Sequence, residues 1–156
     1  MLSLQQLGKK YVHGKHGPDT FDCAGMVWYI YDSICRINIY ESGIGLSTTT
    51  KIITSTYGSI ILYDEDDLNK NLKLLEKGDI LFFHRQSLGD NIPKIDNKYP
   101  GHCGIYLGDN SFIHCSRPKK KVIINNLVDD IYWQRVLIGS KRIISNNKIL
   151  KKWTNN

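Results

Sequence analysis

The sequence predicts an α+β fold, a helical first half followed by an antiparallel β-sheet of about five strands. Three observations carry this. Val27, Ile30, Tyr31, Ile34 and Ile37 recur at helical spacing over residues 23–37. After residue 78 the pattern changes to short runs rich in β-branched and aromatic residues. Turn residues divide those runs, so helices and strands are segregated along the chain.

In chain order, residues 2–9 read as a short helix. The helix over 23–37 opens at Cys23, with Asp22 where an N-cap is wanted and Thr20 as a weaker alternative. Ser47 to Tyr57 reads as a second helix closed by Gly58, although its threonines favour a strand. The strands are DILFFHR (79–85), GHCGIYL (101–107), SFIHCS (111–116), KKVIINNL (120–127) and VLIGSKRII (136–144). The stretch QSLGDNIPKIDNKYPG, residues 86–101, is a long loop, and long loops in compact domains are often functional. One domain over residues 1–145 is followed by a polar, basic tail, 146–156.

Composition narrows the class. The chain has 156 residues, 41% hydrophobic and 23% charged, the balance of one ordinary globular domain. No apolar run reaches the length of a membrane span. The start MLSLQQLGKKYVHG lacks the charged head, apolar block and cleavage site of a signal peptide. The net charge of +6 favours polyanions, nucleic acid or anionic cell-wall polymer. Apart from Lys119–Lys121 and Lys148–Lys152 the basic residues are dispersed, and no nucleic-acid-binding motif is present. The four cysteines, Cys23, Cys35, Cys103 and Cys115, form no C-x-x-C pair, which argues against a zinc ribbon.

Buried cysteine is ordinarily inert, but Cys23 is set apart by its place at the head of a helix. There the unpaired backbone N–H groups and the positive end of the helix dipole favour thiolate, the nucleophilic form. A nucleophilic thiol needs a base, and the base an orienting partner. His102 and His114 lie on two strands that a short turn joins. With Gly108-Asp109-Asn110 as a three-residue loop, Leu107 pairs with Ser111, Gly104 faces His114 and His102 faces Ser116. The histidines then share one face as diagonal neighbours, with Gly104 leaving room between them. A two-residue loop would put them on opposite faces. In the same register Cys103 and Cys115 oppose each other on the reverse face, so they cannot share a metal with the histidines.

Four motifs together resemble one family. YVHGKHGPDTFDCAGMV is similar to the Y-x-x-G-x(n)-D-C-S-G motif of the NlpC-like cell-wall cysteine peptidases. LLEKGDILFF resembles their L-x-P-G-D-L-V-F-F strand, GHCGIYLGDNSFIHCS their H-V-G-I-Y-L-G-N-G-x-F-I-H-A-S hairpin, and IGSKRII their closing strand. The resemblance covers about residues 5–144 in family order. It implies a papain-like fold in which the nucleophile helix packs on an antiparallel sheet. It implies hydrolysis of an amide bond in peptidoglycan stem peptides, typically between D-glutamate and the diamino acid. By position, Cys23 is the implied nucleophile, His102 the general base and His114 the third polar residue that orients it. Tyr11 matches a tyrosine beside the nucleophile that helps bind the oxyanion. Asp22 matches an acid that helps recognise the free amine of the stem peptide.

Three positions depart from the pattern. Ala24 replaces the serine after the nucleophile, Lys15 replaces the second glycine of the family's Y-x-x-G-G start, and Lys77 replaces the proline of P-G-D. The implied partners are stem peptides and the anionic bacterial wall, with no nucleic acid, membrane span, metal or cofactor. With no signal peptide in the chain, delivery is by lysis, by a phage tail, or as a domain of a longer secreted protein. The alternatives are an N-acetylmuramoyl-L-alanine amidase with the same Cys/His site, and a non-catalytic cell-wall-binding module.

Overall fold

The structure, a computed structural model, describes residues 3–39, 52, 58–62, 67–84 and 100–143. Apart from Ile52, which is helical and buried, the expected helix over 47–57 lies outside these residues, as do the tail over 146–156 and residues 86–99 of the expected loop. A 3-10 turn at Leu4–Gln6 leads to β1 (Lys10–Tyr11) and β2 (Thr20–Phe21). Helix α1 (Cys23–Ile30) continues as a π-helical turn, Tyr31–Cys35. Then follow β3 (Ser59–Leu62), α2 (Leu68–Leu74), β4 (Ile80–His84), β5 (Pro100–Gly108), β6 (Ser111–Ser116), β7 (Lys121–Asn126), α3 (Ile131–Val136) and β8 (Leu137–Arg142).

Among the described residues, eight strands join one sheet in the order β2-β1-β7-β6-β5-β4-β8-β3. Every neighbouring pair is antiparallel except β1 and β2, which are parallel. The five strands expected from sequence are β4 to β8, so the expected count is too low by three. Two of the additions, β1 and β2, are two residues long, too short to show an alternation. The third is the apolar run of β3, which pairs with β8 at the opposite edge. The sheet also takes in Pro100, expected in the loop. Pro100 opens β5, where its missing N–H is tolerated.

The helices differ from expectation too. Helical geometry in α1 gives way at residue 31, and the segment stops at Arg36, whose φ of 54° is left-handed. Ile37 still packs against the core although the chain has left the helix. Helices α2 and α3 were not expected; each has an aspartate at its start, Asp67 accepting from Lys70 N–H and Asp130 from Tyr132 N–H.

The alternation of the strands divides the core between the two faces of the sheet. Phe82, Cys103, Ile105, Ile113 and Cys115 face one way and meet Met26, Val27 and Ile30 of α1. Leu81, Phe83, Tyr106 and Phe112 face the other way, with Trp133 of α3 packed against them. At the sheet's far side Arg142 grips both carboxylate oxygens of Asp79, at 2.8 Å each, and reaches Glu76 at 2.6 Å.

The β5–β6 hairpin sets the register. The turn is not the expected three-residue loop. Gly108 pairs with Ser111, which leaves two turn residues, Asp109 and Asn110, with φ of 50° and 59°. Positive φ at both is what a mirror-image hairpin turn requires. By itself this turn would separate the histidines. A bulge between Tyr106 and Gly108 inserts one residue, and beyond it Tyr106 pairs with Phe112 and Ile105 with Ile113. The expected facing of Gly104 and His114 is thereby recovered by a different route. A Cβ built on Gly104 would stand 2.8 Å from Ile113 O and 3.1 Å from His114 Cβ. Gly104→Val is therefore expected to force β5 and β6 apart and to destabilise the fold by about 1–3 kcal/mol. Denaturant unfolding of the variant checks this; an unchanged midpoint would contradict the close packing of the two strands.

Candidate functional site

The segment ahead of α1 is held by Asp22. Its Oδ1 accepts from Gly25 N–H at 2.7 Å, which caps the helix, and its Oδ2 accepts from Gly14 N–H at 2.9 Å. Residues 14–16 thus lie against the first turn of α1. Their approach explains Gly25, where a Cβ would stand 2.1 Å from Lys15 O. Burial pushes the Asp22 carboxyl above its ordinary pKa, while those two N–H groups act the other way. Both oxygens of Asp22 already serve the backbone, so its local structural role is evident without a ligand.

Cys23, half-buried, is the first residue of this helix. Its thiol is held well below the usual cysteine range, first by a hydrogen bond with the Cys103 side chain and then by the hydrogen bond and charge of His102, against burial. Cys103 and His102 are consecutive at the start of β5, so one strand end serves the sulfur with both groups. The reverse face to which the sequence assigned Cys103 is the face that carries α1. The part Cys103 plays beside Cys23 was missed for that reason. The signal was there: a cysteine stands where the quoted family pattern has valine. Cys115, on the same face, is different. Burial pushes its thiol up to about 12, and its sulfur lies 3.4 Å from Phe21 O. Cys23, Cys103 and Cys115 carry no disulfide.

His102 and His114 meet as expected. His102 Nε2 lies 2.8 Å from His114 Nδ1, with the rings nearly perpendicular at 83°. His114 is only 1% exposed and its other nitrogen, Nε2, lies 2.8 Å from Asn125 Oδ1. Phe112 stacks on the His114 ring and Trp133 meets it edge-on, each with centroids 5.0 Å apart. Burial, followed by the charge of His102, pulls the His114 pKa down to about 4, so the ring is neutral at neutral pH. Neither Asn125 nor Trp133 was singled out from sequence. Asn125 was within reach of the same reasoning, because β6 and β7 pair His114 with Ile123 and put residue 125 diagonally beside it on the same face.

Of the remaining expected residues, Tyr11 sits on β1, half-buried against the core that α1 covers. Ala24 is buried at the base of α1, whereas Lys15 and Lys77 are exposed. A cavity of about 280 Å³ opens on the histidine side of the sheet, lined by His102, His114, Trp133 and Tyr132 together with Arg117 and Lys119. Among the described residues no group of three or more His, Cys, Asp or Glu side chains is placed to hold a metal ion.

Outcomes of two kinds follow from these environments, the first in thiol labelling. Iodoacetamide at pH 7 should label Cys23 at least about tenfold faster than Cys115 in the folded protein. Cys103→Val should move the pH midpoint of Cys23 labelling upward, because the first of its stabilising hydrogen bonds is gone; peptide mass mapping of the labelled sites reads both. The second outcome concerns acid. Folded His114 takes up its proton only near pH 4, whereas the unfolded residue does so near 6.5. Its neutral burial therefore contributes stability that is full above pH 6.5 and is lost as pH falls towards 4, up to about 3 kcal/mol. Denaturant unfolding between pH 4 and 7 should show a shallower acid decline in His114→Gln than in the unsubstituted protein.

The NlpC/P60 family is the one whose model matches, over residues 8–142. The probable endopeptidase YafL of Escherichia coli K12 is 33% identical over 147 residues, covering 94% of this chain and 49% of that protein. The murein DD-endopeptidase MepH of the same organism is 30% identical over 143 residues, covering 91% of this chain and 44% of that protein. Among solved structures, NlpC2 from Trichomonas vaginalis superimposes with a TM-score of 0.63 at 27% identity, covering 93% of this chain and 44% of that one. The chain spans about half the length of the curated relatives it matches. With its motifs, its fold and a family match across residues 8–142, the chain belongs to the NlpC/P60 family.

Proposed function

We propose that this chain is a peptidoglycan hydrolase, a cysteine endopeptidase that cuts an amide bond of the stem peptide. The observation that carries the reading is the depressed Cys23 thiol beside His102, which is itself hydrogen-bonded to His114 at 2.8 Å. The names of YafL and MepH as endopeptidases, the latter of murein, support the same class. The architecture is read as papain-like, with α1 presenting the thiol to the end of the strand that carries the histidine.

In this reading the Cys23 thiolate attacks the amide carbonyl. The oxyanion is met by the Cys23 backbone N–H and the Tyr11 hydroxyl. His102 protonates the departing amine, which leaves a thioester on Cys23. His102 then takes a proton from water, and the hydroxide attacks the thioester to release the acid and restore the thiol. His114 orients His102. Asp22 adds recognition of the substrate's free amine to its structural bonds. The net charge of +6 draws the protein towards an anionic wall, so action at the bacterial cell wall is the place proposed for it. The bond proposed is that between D-glutamate and the diamino acid.

Digestion of purified peptidoglycan tests both the class and the bond. New amino termini on the diamino acid, lost in Cys23→Ala, are the expected result. New termini on L-alanine would replace the endopeptidase reading with an amidase. Opening of the cross-links alone would move the site of cleavage to the DD bond named for MepH. No soluble product, or an active Cys23→Ala variant, would overturn the proposal.

A further inference from the structure

We propose that Asn125 is a positioning residue that fixes the protons of both histidines and so leaves His102 Nδ1 bare for the Cys23 thiol. Its importance for turnover rests on the cysteine-peptidase reading above; the proton assignment does not.

The argument is a count of protons. Neutral imidazole carries one N–H and one lone pair. His114 is buried and neutral, so one of its nitrogens must donate and the other accept. Asn125 Oδ1, 2.8 Å from His114 Nε2, only accepts. The His114 proton is therefore on Nε2, and Nδ1 presents a lone pair to His102 Nε2 at 2.8 Å. His102 Nε2 must donate to it. Neutral His102 then has its lone pair on Nδ1, the nitrogen left for the sulfur of Cys23.

When the thiol ionises, its S–H bond breaks and an N–H bond forms at His102 Nδ1. His102 becomes an imidazolium with two donors, one towards the sulfur and one towards His114 Nδ1. His114 and Asn125 neither gain nor lose a proton. The opposite arrangement fails. If the amide presented its NH2 to His114 Nε2, the His114 proton would sit on Nδ1 and point at His102 Nε2. Protonating His102 would then set two N–H groups against each other across 2.8 Å. An amide oxygen thus permits the ion pair, and it does so without the charge that a carboxylate would bring. The titratable groups around His114 are His102 and Cys23, while Asp130, Arg117 and Lys119 line the neighbouring cavity.

The test uses the whole chain and needs no peptidoglycan. Long-range 1H–15N correlation spectra of imidazole-labelled protein should show His114 protonated on Nε2 at pH 7. Asn125→Leu, close in size but without an acceptor, should lose that tautomer. It should also slow iodoacetamide labelling of Cys23 at pH 7 by about tenfold or more, as loss of an orienting partner of a histidine does. Asn125→Asp keeps the acceptor and should retain the tautomer and restore most of the labelling rate, while raising the His114 pKa. A purely structural residue would not separate these two variants in this way. Should Asn125→Leu fail to fold, the spectrum of the unsubstituted protein still decides. A His114 proton on Nδ1 overturns the proposal, as does an Asn125→Leu variant that folds with tautomer and labelling rate unchanged. The expected tautomer in a protein that releases nothing from peptidoglycan would overturn the functional reading and leave this one standing.

Discussion

One inserted residue in the β5–β6 hairpin governs the geometry of the site. Side chains alternate along a strand, so a shift of one position moves every residue to the other face. The two-residue turn at Asp109 and Asn110 suits the right-handed twist of the strands but gives the wrong parity. The bulge ahead of Gly108 restores it. Without that residue His114 would face α1 and Cys115 would face Trp133. With it, the imidazoles lie together on one side and the thiols of Cys103 and Cys115 on the other.

The two faces then supply different chemistry to the same sulfur. The helix side brings Cys103, whose side chain is the first of the groups that lower the Cys23 thiol. The histidine side brings His102, backed by a ring that burial keeps neutral. Burial therefore keeps positive charge off the His114 ring. Two adjacent imidazolium rings would repel each other. The aromatic enclosure of His114 by Phe112 and Trp133 is thus an electrostatic device as much as a packing one.

The sequence made much of this legible, and the exceptions have physical reasons. The cap at Asp22, the start of α1 and the five long strands were readable because each is a local pattern of spacing or of turn chemistry. The pairing of His102 with His114 was readable because a hairpin has few registers, although the turn that produces it was assigned wrongly. Strands β1 and β2 were not readable, since two residues have no period. Asn125 and Cys103 are different: each leaves a trace in the sequence, one through the pairing of β6 with β7 and the other through a cysteine where the family pattern has valine, but their roles depend on contacts between elements. Helix α3, which delivers Trp133 to the histidines, is six residues long and offers little beyond its aspartate cap.

The order of the elements along the chain differs from their order in the sheet, and this sets which pairings must wait during synthesis. Helix α1 leaves the ribosome early, well before β5 and β6 carry the two histidines out. Strand β8 comes last among the described elements, yet it lies inside the sheet, between β4 and β3. Near the other edge, β1 waits for β7 to find its partner, as Lys10 pairs with Lys121. Such distant pairings are slow to form, because the intervening chain must first be ordered. A nascent chain therefore carries Cys23 without Cys103 and His102 beside it, and the lowering of its thiol by those groups arrives only with the assembly of the sheet.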